Sequence, residues 1–415
     1  MPYYADMNPD APTFVKADWD SKRVRRRVTE RLLALRARLD AAAEDGGIAP
    51  RPPGTLIVGS WNLREFDSGT WGLRLPETYA YLAEVCSRFD VVALQEVRES
   101  LAALEKLRAR LGRHWEYIVS DVTDRSGQPG NGERLAFLYD TRKVRFLGQA
   151  GEIVLSPLRK DGQTIPAQQI ARTPLMAAFQ VGWTQFVLTT VHIVWGSADP
   201  APTARVDEIR HVAQFLGDRS EARTEMIHNY IVVGDFNITS TDAPTMKALQ
   251  DGGSFTVPPE LLAAPGSNVD RTMKYDQIAY RNRPDRFAYA RKAGVFDYYA
   301  TVFTDRDEKV YRPFIDAYIK ARHDAGETSP KPPKDARVAT QQYRLWRTYQ
   351  MSDHLPLWAA FDVDFADEYL MRIRADAGPR TAPAPEAEPA VAQPSTSASR
   401  ASSAPAIASR TGPES

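Results

Sequence analysis

From residue 55 to residue 363, short apolar runs repeatedly end in polar side chains. "TLIVGSWN", "DVVALQE", "TQFVLTTVHI", "NYIVVGDFN" and "YDQIAY" all do so, and "LPLWAAFDV" closes the series. Runs of this length, rich in β-branched residues and bounded by turn-forming residues, predict buried strands. Between them lie "ETYAYLAEVCSRF", "SLAALEKLRARL" and "TARVDEIRHVAQFL", whose apolar residues recur at helical spacing. "WEYIVS" and "RLAFLYD" add strands, and "MAAFQVG" followed by "TQFVLTTVHI" reads as a hairpin. Apolar strands mixed with amphipathic helices predict an α/β sandwich in which helices cover the sheets.

The flanking regions differ. Residues 18–44 predict a helix, because Val28, Leu32, Leu35 and Leu39 share one face; its arginines suit a solvated face, or a phosphate contact. "IAPRPPG" (48–54) punctuates the chain, so residues 1–54 are read as a helical extension and linker. The main domain is then 55–376, with a surface insertion at about 304–350. Tyr343, Arg344, Trp346 and Arg347 of that insertion can either stack bases and bind phosphates or pack it onto the body. Residues 377–415 are rich in Ala, Pro and Ser with little apolar bulk, which predicts disorder.

Charge and cysteine usage set limits. Lys+Arg and Asp+Glu both number 53, so no global field marks the chain as a nucleic-acid binder, although a local basic face is compatible with that sum. The single cysteine, Cys86, excludes an intramolecular disulfide and falls in an apolar helical pattern. No apolar run approaches the roughly 18 residues of a membrane span. Glu30, Arg36, Arg38 and Asp40 interrupt the one stretch resembling a signal peptide. A cytoplasmic monomer without a transmembrane segment is expected.

The polar strand ends are Asn62, Gln95, Glu96, His192, Asp235, Asn237, Asp276, Asp353 and His354. Each alone fits a turn, a cap or a satisfied structural residue. His114, His211, His228 and His323 lack a comparable setting and are read as structural.

As an ordered set, the strand ends resemble the endonuclease/exonuclease/phosphatase superfamily over about residues 55–365, with "GDFN" and "SDHLP" the most specific motifs. "LQEVRES", "GNGERLAFLYD", "IARTPLMAAF" and "SDHLPLW" are similar to the pancreatic-type deoxyribonuclease branch. The resemblance implies a four-layer αββα sandwich of two packed mixed sheets flanked by helices. It also implies a divalent-metal-dependent phosphodiesterase, an endonuclease hydrolysing nucleic-acid phosphodiester bonds by in-line attack of water. A phosphatase or phosphodiesterase acting on an inositol phosphate or a sphingomyelin headgroup stays open, because His192 also fits those groups.

Magnesium, or manganese, prefers oxygen ligands and keeps several waters, so one or two carboxylates suffice. Glu96 is the first candidate ligand, Asn62 stands beside it, and Asp353 is a second carboxylate. The resemblance implies two acid–histidine pairs, Asp276 with His354 and Glu133 with His192, either of which can supply the general base. In the competing assignment Asp235 orients or deprotonates the water and Asn237 holds a phosphate oxygen. Arg172, Arg98 and Arg134 are the substrate-binding candidates, with a surface ion pair, a solvated arginine and a hairpin salt bridge as their respective alternatives. Two departures stand out. The DNA-contacting tyrosine of the pancreatic-type branch appears as Asn131, and "IVWGS" follows His192 where small residues are expected, so Trp195 reshapes one wall of the cleft.

Overall fold

The computed structural model describes residues 2–7, 22–66, 68–122, 132–155, 172–196, 202–283 and 286–376, together with 158–160, 163–165, 170 and 199. Residues 1–365 form one compact unit; a second begins at Ala366, and only its helix α9 (Ala366–Asp376) falls within the described residues. The tail predicted to be disordered, 377–415, lies outside them.

Two mixed sheets carry the first unit. One has the order β12-β13-β1-β2-β4-β3, built from Ala288–Val295, Leu357–Asp362, Thr55–Phe66, Val91–Arg98, Glu133–Asp140 and Trp115–Val119. The other runs β11-β10-β9-β8-β5, from Asp276–Arg281, Tyr230–Asp235, Thr184–His192, Leu175–Val181 and Arg145–Glu152. A small ribbon pairs β6 (Leu158–Lys160) with β7 (Gln163–Ile165). In the first sheet β1 pairs in parallel with β2 and antiparallel with β13; in the second β10 pairs in parallel with β9 and antiparallel with β11.

The side-chain period of two explains how β1 and β2 are buried on both faces. Leu56, Val58, Val91 and Ala93 join Val187, Val191 and Val233 of the other sheet in one core. Ile57, Trp61, Val92 and Leu94 face the other way, into a second core with α1 (Lys22–Leu39), α2 (Pro76–Cys86) and α3 (Ala102–Leu111). On the far side α4 (Thr203–Glu221) and α5 (Pro244–Gly253) contribute Ile209, Val212, Leu216, Met246 and Leu249 to the first core. Helix, sheet, sheet, helix is the four-layer order that the family resemblance implies. Cys86 is fully buried, and burial pushes its thiol far above the ordinary range.

Helix α1 departs from expectation on its polar side. Val28, Leu32, Leu35 and Leu39 are buried as the spacing requires. Arg23 and Arg26 are exposed as expected, but three other arginines are not simply solvated. Arg27 pairs with Glu77 at 2.5 Å, Arg36 with Glu84 at 2.8 Å, and Arg31 with Asp307. All three acids are buried, and an unpaired buried carboxylate is costly, so the helix supplies their counter-charges.

The 304–350 segment forms α7 (Glu308–Asp324) and α8 (Ala336–Gln350) after a short α6 (Pro259–Ala263) earlier in the chain. Tyr343 and Trp346 are buried in the second core with Tyr311 and Ile315. Arg344 and Arg347 both pair with Asp305, at 2.8 Å each. These residues therefore pack the segment onto the body and do not present a base-stacking surface.

Candidate active site

Three of the site residues form one rank across neighbouring strands. Asp235, at the end of β10, is the ladder partner of His192 on β9 and of Asp276 on β11. Ladder partners on adjacent strands project to the same face, so the hydrogen-bond pattern itself gathers these side chains. The facing sheet contributes a second rank: Asn62 on β1 lies opposite Gln95 on β2, Glu96 follows, and Glu133 opens β4 opposite Arg98.

The ranks meet at Asp235. Its Oδ2 lies 3.6 Å from Nε2 of His192 and 3.8 Å from Nε2 of His354, and it accepts from the Asn62 amide at 3.1 Å. The Asn237 backbone N–H donates to Oδ1 at 2.9 Å. Burial alone would raise this carboxyl, but His354, His192 and the two donors outweigh it and hold Asp235 below the usual carboxylate range.

Each histidine is backed by an acid. Nδ1 of His354 lies 2.7 Å from Oδ2 of Asp276, and the same oxygen accepts from Ser267 Oγ at 2.5 Å. Burial disfavours the charged ring, yet Asp276 and Asp235 prevail and hold His354 well above the ordinary histidine value. Trp61 Nε1 (3.0 Å) and Tyr298 OH (2.9 Å) both donate to the His354 carbonyl and fix its backbone. Nδ1 of His192 stands 3.5 Å from Oε2 of Glu133, looser than a good hydrogen bond. The same Glu133 oxygen accepts from Arg172 Nε at 2.7 Å. Burial would raise Glu133, but His192 and Arg172 together hold it low.

Glu96 accepts from the Asn62 amide at 2.8 Å and from the Glu65 N–H at 2.6 Å. Arg64, Glu65, Glu96 and Asn237 all have positive φ, between 39° and 58°. Such conformations cost about 1–3 kcal/mol each in non-glycine residues and tend to gather where geometry is functional. The Asp235–Asp276–His354 group is compact enough to hold a cation. Within it, His354 Nδ1 is already hydrogen-bonded to Asp276. Asn62 and Glu96 offer the harder, oxygen-bearing pair.

The remaining expected residues are placed as follows. Arg64 NH1 pairs with Asp353 at 3.1 Å. Arg134 donates to the Ser120 carbonyl at 2.8 Å and approaches Asp121 at 3.3 Å, so it ties the hairpin together. Arg172 is in an ion pair, and Arg98 lies at the Glu133 rung. Asn237 donates its amide to the Ile193 carbonyl at 2.8 Å, which uses part of its capacity for a phosphate oxygen. Asn131 lies outside the described residues.

Two residues escaped the sequence reading. Arg64 lies over the Tyr349 ring at 4.1 Å and donates to Thr348 Oγ1, so α8 braces it against Asp353. Arg205 is buried in the first turn of α4, where NH1 donates to the Asn237 carbonyl at 3.0 Å and Nε to the Val194 carbonyl at 3.2 Å. Its signal was present: 205 falls on the stripe of Ile209, Val212 and Leu216, where an arginine needs buried partners.

The Endonuclease/Exonuclease/phosphatase family profile matches residues 59–354, from β1 through His354. The chain belongs to this family. As a member of the endonuclease/exonuclease/phosphatase family it is a phosphoric ester hydrolase. Deoxyribonuclease-1 of Equus caballus is 24% identical over 268 residues, covering 61% of this chain and 81% of the horse protein. Deoxyribonuclease-1 of Rattus norvegicus is 27% identical over 194 residues, covering 44% of this chain and 60% of the rat protein. The human Nocturnin catalytic domain is 16% identical with a TM-score of 0.46, over 76% of this chain and all of that domain. Among the described residues, no helix is long and apolar enough to cross a membrane.

Proposed function

We propose that the chain is a divalent-metal-dependent phosphodiesterase that cleaves nucleic-acid phosphodiester bonds by in-line attack of water. The observation that carries this reading is Asp235 flanked by two imidazoles, each backed by its own acid. Asp235 aligns the water and takes its proton, with His192 beside it. As the new P–O bond forms, the opposite one breaks. The departing oxygen takes its proton from Nε2 of His354, which Asp276 and Asp235 keep charged.

Glu96 supports a cation at the Asn62 side. No basic side chain among the described residues pairs with its half-buried carboxylate, whose two oxygens meet only an amide and a backbone N–H. A bound magnesium or manganese ion would neutralise the nonbridging phosphate oxygens. Asp353, whose Oδ2 meets Arg64, is the second carboxylate that would hold it. Arg172 and Arg98, along the Glu133 side, would meet the flanking phosphates.

The test is hydrolysis of bis-p-nitrophenyl phosphate by purified protein. Turnover should require Mg²⁺ or Mn²⁺, stop with EDTA, and fall at least about 100-fold in His354→Ala. Unchanged turnover in that variant would sink the assignment. A panel of plasmid DNA, single-stranded DNA, RNA, inositol phosphates and sphingomyelin then separates the substrates. Turnover of monoesters alone would replace the nuclease reading with the phosphatase one.

A further inference from the structure

Trp195 is a large apolar side chain left exposed beside the site, three residues after His192, with 41% of its surface open to solvent. An exposed loop tryptophan is ordinarily unremarked, but this one is held with unusual care. Its ring meets Tyr275 edge to face, with centroids 5.5 Å apart and planes at 89°. Tyr275 in turn lies 5.8 Å from the His354 ring. Three rings are therefore connected in sequence, from His354 through Tyr275 to Trp195.

The anchor beneath the outermost ring is Arg205. Its guanidinium carbon lies 4.7 Å from the Trp195 ring centroid, and NH2 donates to the Trp195 carbonyl. Arg205 is only 1% exposed, and it also ties the Val194 and Asn237 carbonyls. Burying a guanidinium is costly unless its donors are satisfied. Here that group fixes both the backbone and the ring of one exposed residue, and connects them to the loop bearing Asn237. An aromatic face held this way loses little freedom on meeting a planar ligand, so stacking on it is less opposed by entropy.

We propose that Trp195, supported by Tyr275, is a stacking platform that selects phosphodiesters carrying a nucleobase over ring-less ones. Tyr275 bridges His354 and Trp195, so an ester bound at the histidine has the tryptophan two ring contacts away. Stacking reads the face of a base and not its edge, so the preference covers all four bases. In the sequence, Asn131 stands where the pancreatic-type branch has its DNA-contacting tyrosine, so an aromatic contact from elsewhere would offset that loss. The proposal rests on the phosphodiesterase reading of this site and names its substrate class.

Calorimetric titration of the full chain with thymidine 5′-monophosphate and, separately, 2-deoxyribose 5-phosphate tests it. The wild type should bind the nucleotide more tightly. In Trp195→Ala the ratio of the two affinities should fall roughly 5- to 100-fold, the range of base–aromatic stacking, and Trp195→Phe should restore most of it. An unmoved ratio, whether both affinities fall or neither does, overturns the proposal, as does a wild type that binds both ligands alike. A second arm compares kcat/KM for thymidine 5′-p-nitrophenyl phosphate and methyl p-nitrophenyl phosphate, which share a leaving group. If His354→Ala leaves hydrolysis intact, the catalytic reading fails, while the titrations decide the stacking platform independently.

Discussion

Oδ2 of Asp276 lies 2.7 Å from Nδ1 of His354, and this carboxylate favours the charged ring. Since His354 is held above the ordinary value of about 6.5, its charged form is complete below that pH and is lost only as pH rises through the folded value. The alkaline limb of the pH–rate profile should therefore belong to His354. Asp276→Asn removes the strongest attraction and should move that limb to lower pH. A limb that stays in place would assign the acid elsewhere.

Glu96→Gln retains the side-chain shape but removes the carboxylate charge that Glu96 offers a cation. The Mg²⁺ concentration for half-maximal activity should rise by more than about tenfold, the lower bound for losing even an outer partner of a metal ligand. The melting temperature in EDTA should barely change. A metal titration that superimposes on the wild type would remove Glu96 from the cation site.

Gly234 precedes Asp235 at a φ of 135°, and a Cβ there would lie 2.1 Å from the Val191 carbonyl oxygen. Gly234→Ala must push β10 off β9 or strain the backbone, at about 2 kcal/mol or more. Urea unfolding should show the loss, and activity should fall further than stability because Asp235 moves as well. Wild-type stability in this variant would contradict the packing.

Leu35 is fully buried on α1. Leu35→Ala should destabilise the protein by about 2–5 kcal/mol, read as a shift in urea midpoint, while kcat at low temperature stays near wild type. A neutral effect would mean that the N-terminal helix docks only loosely.

Truncation after Asp376 removes an Ala/Pro/Ser-rich segment with little to bury. Activity and melting temperature should both be retained. A substantial loss of either would give the segment a role its composition does not announce.

The strands and the ordered polar set were legible because burial on both faces leaves long apolar runs, and because polar residues at their ends break that pattern sharply. Strand β5 was harder to see: "RFLGQAGE" is largely exposed and keeps no clean alternation. The pairing of charges was not legible at all. Nothing near Arg31 announces Asp307, and nothing near Arg64 distinguishes Asp353 as its partner from Asp353 as a cation ligand. Such partners lie hundreds of residues apart, and only the folded topology brings them together. Arg134 is the local counterpart: both its hairpin role and a substrate role fitted the sequence, and its contact with the Ser120 carbonyl favours the hairpin.

His192, Asp235 and Asp276 sit at one level across three neighbouring strands, β9, β10 and β11. Their mutual spacing is therefore set by the interstrand repeat, not by the loops that join the strands. Those connections are free to lengthen, shorten or acquire new segments over evolutionary time without disturbing the chemistry. A one-residue slip of β10, by contrast, would turn Asp235 to the wrong face and misalign it with both partners at once. The fold thus tolerates large insertions between these strands while punishing the smallest deletion within them.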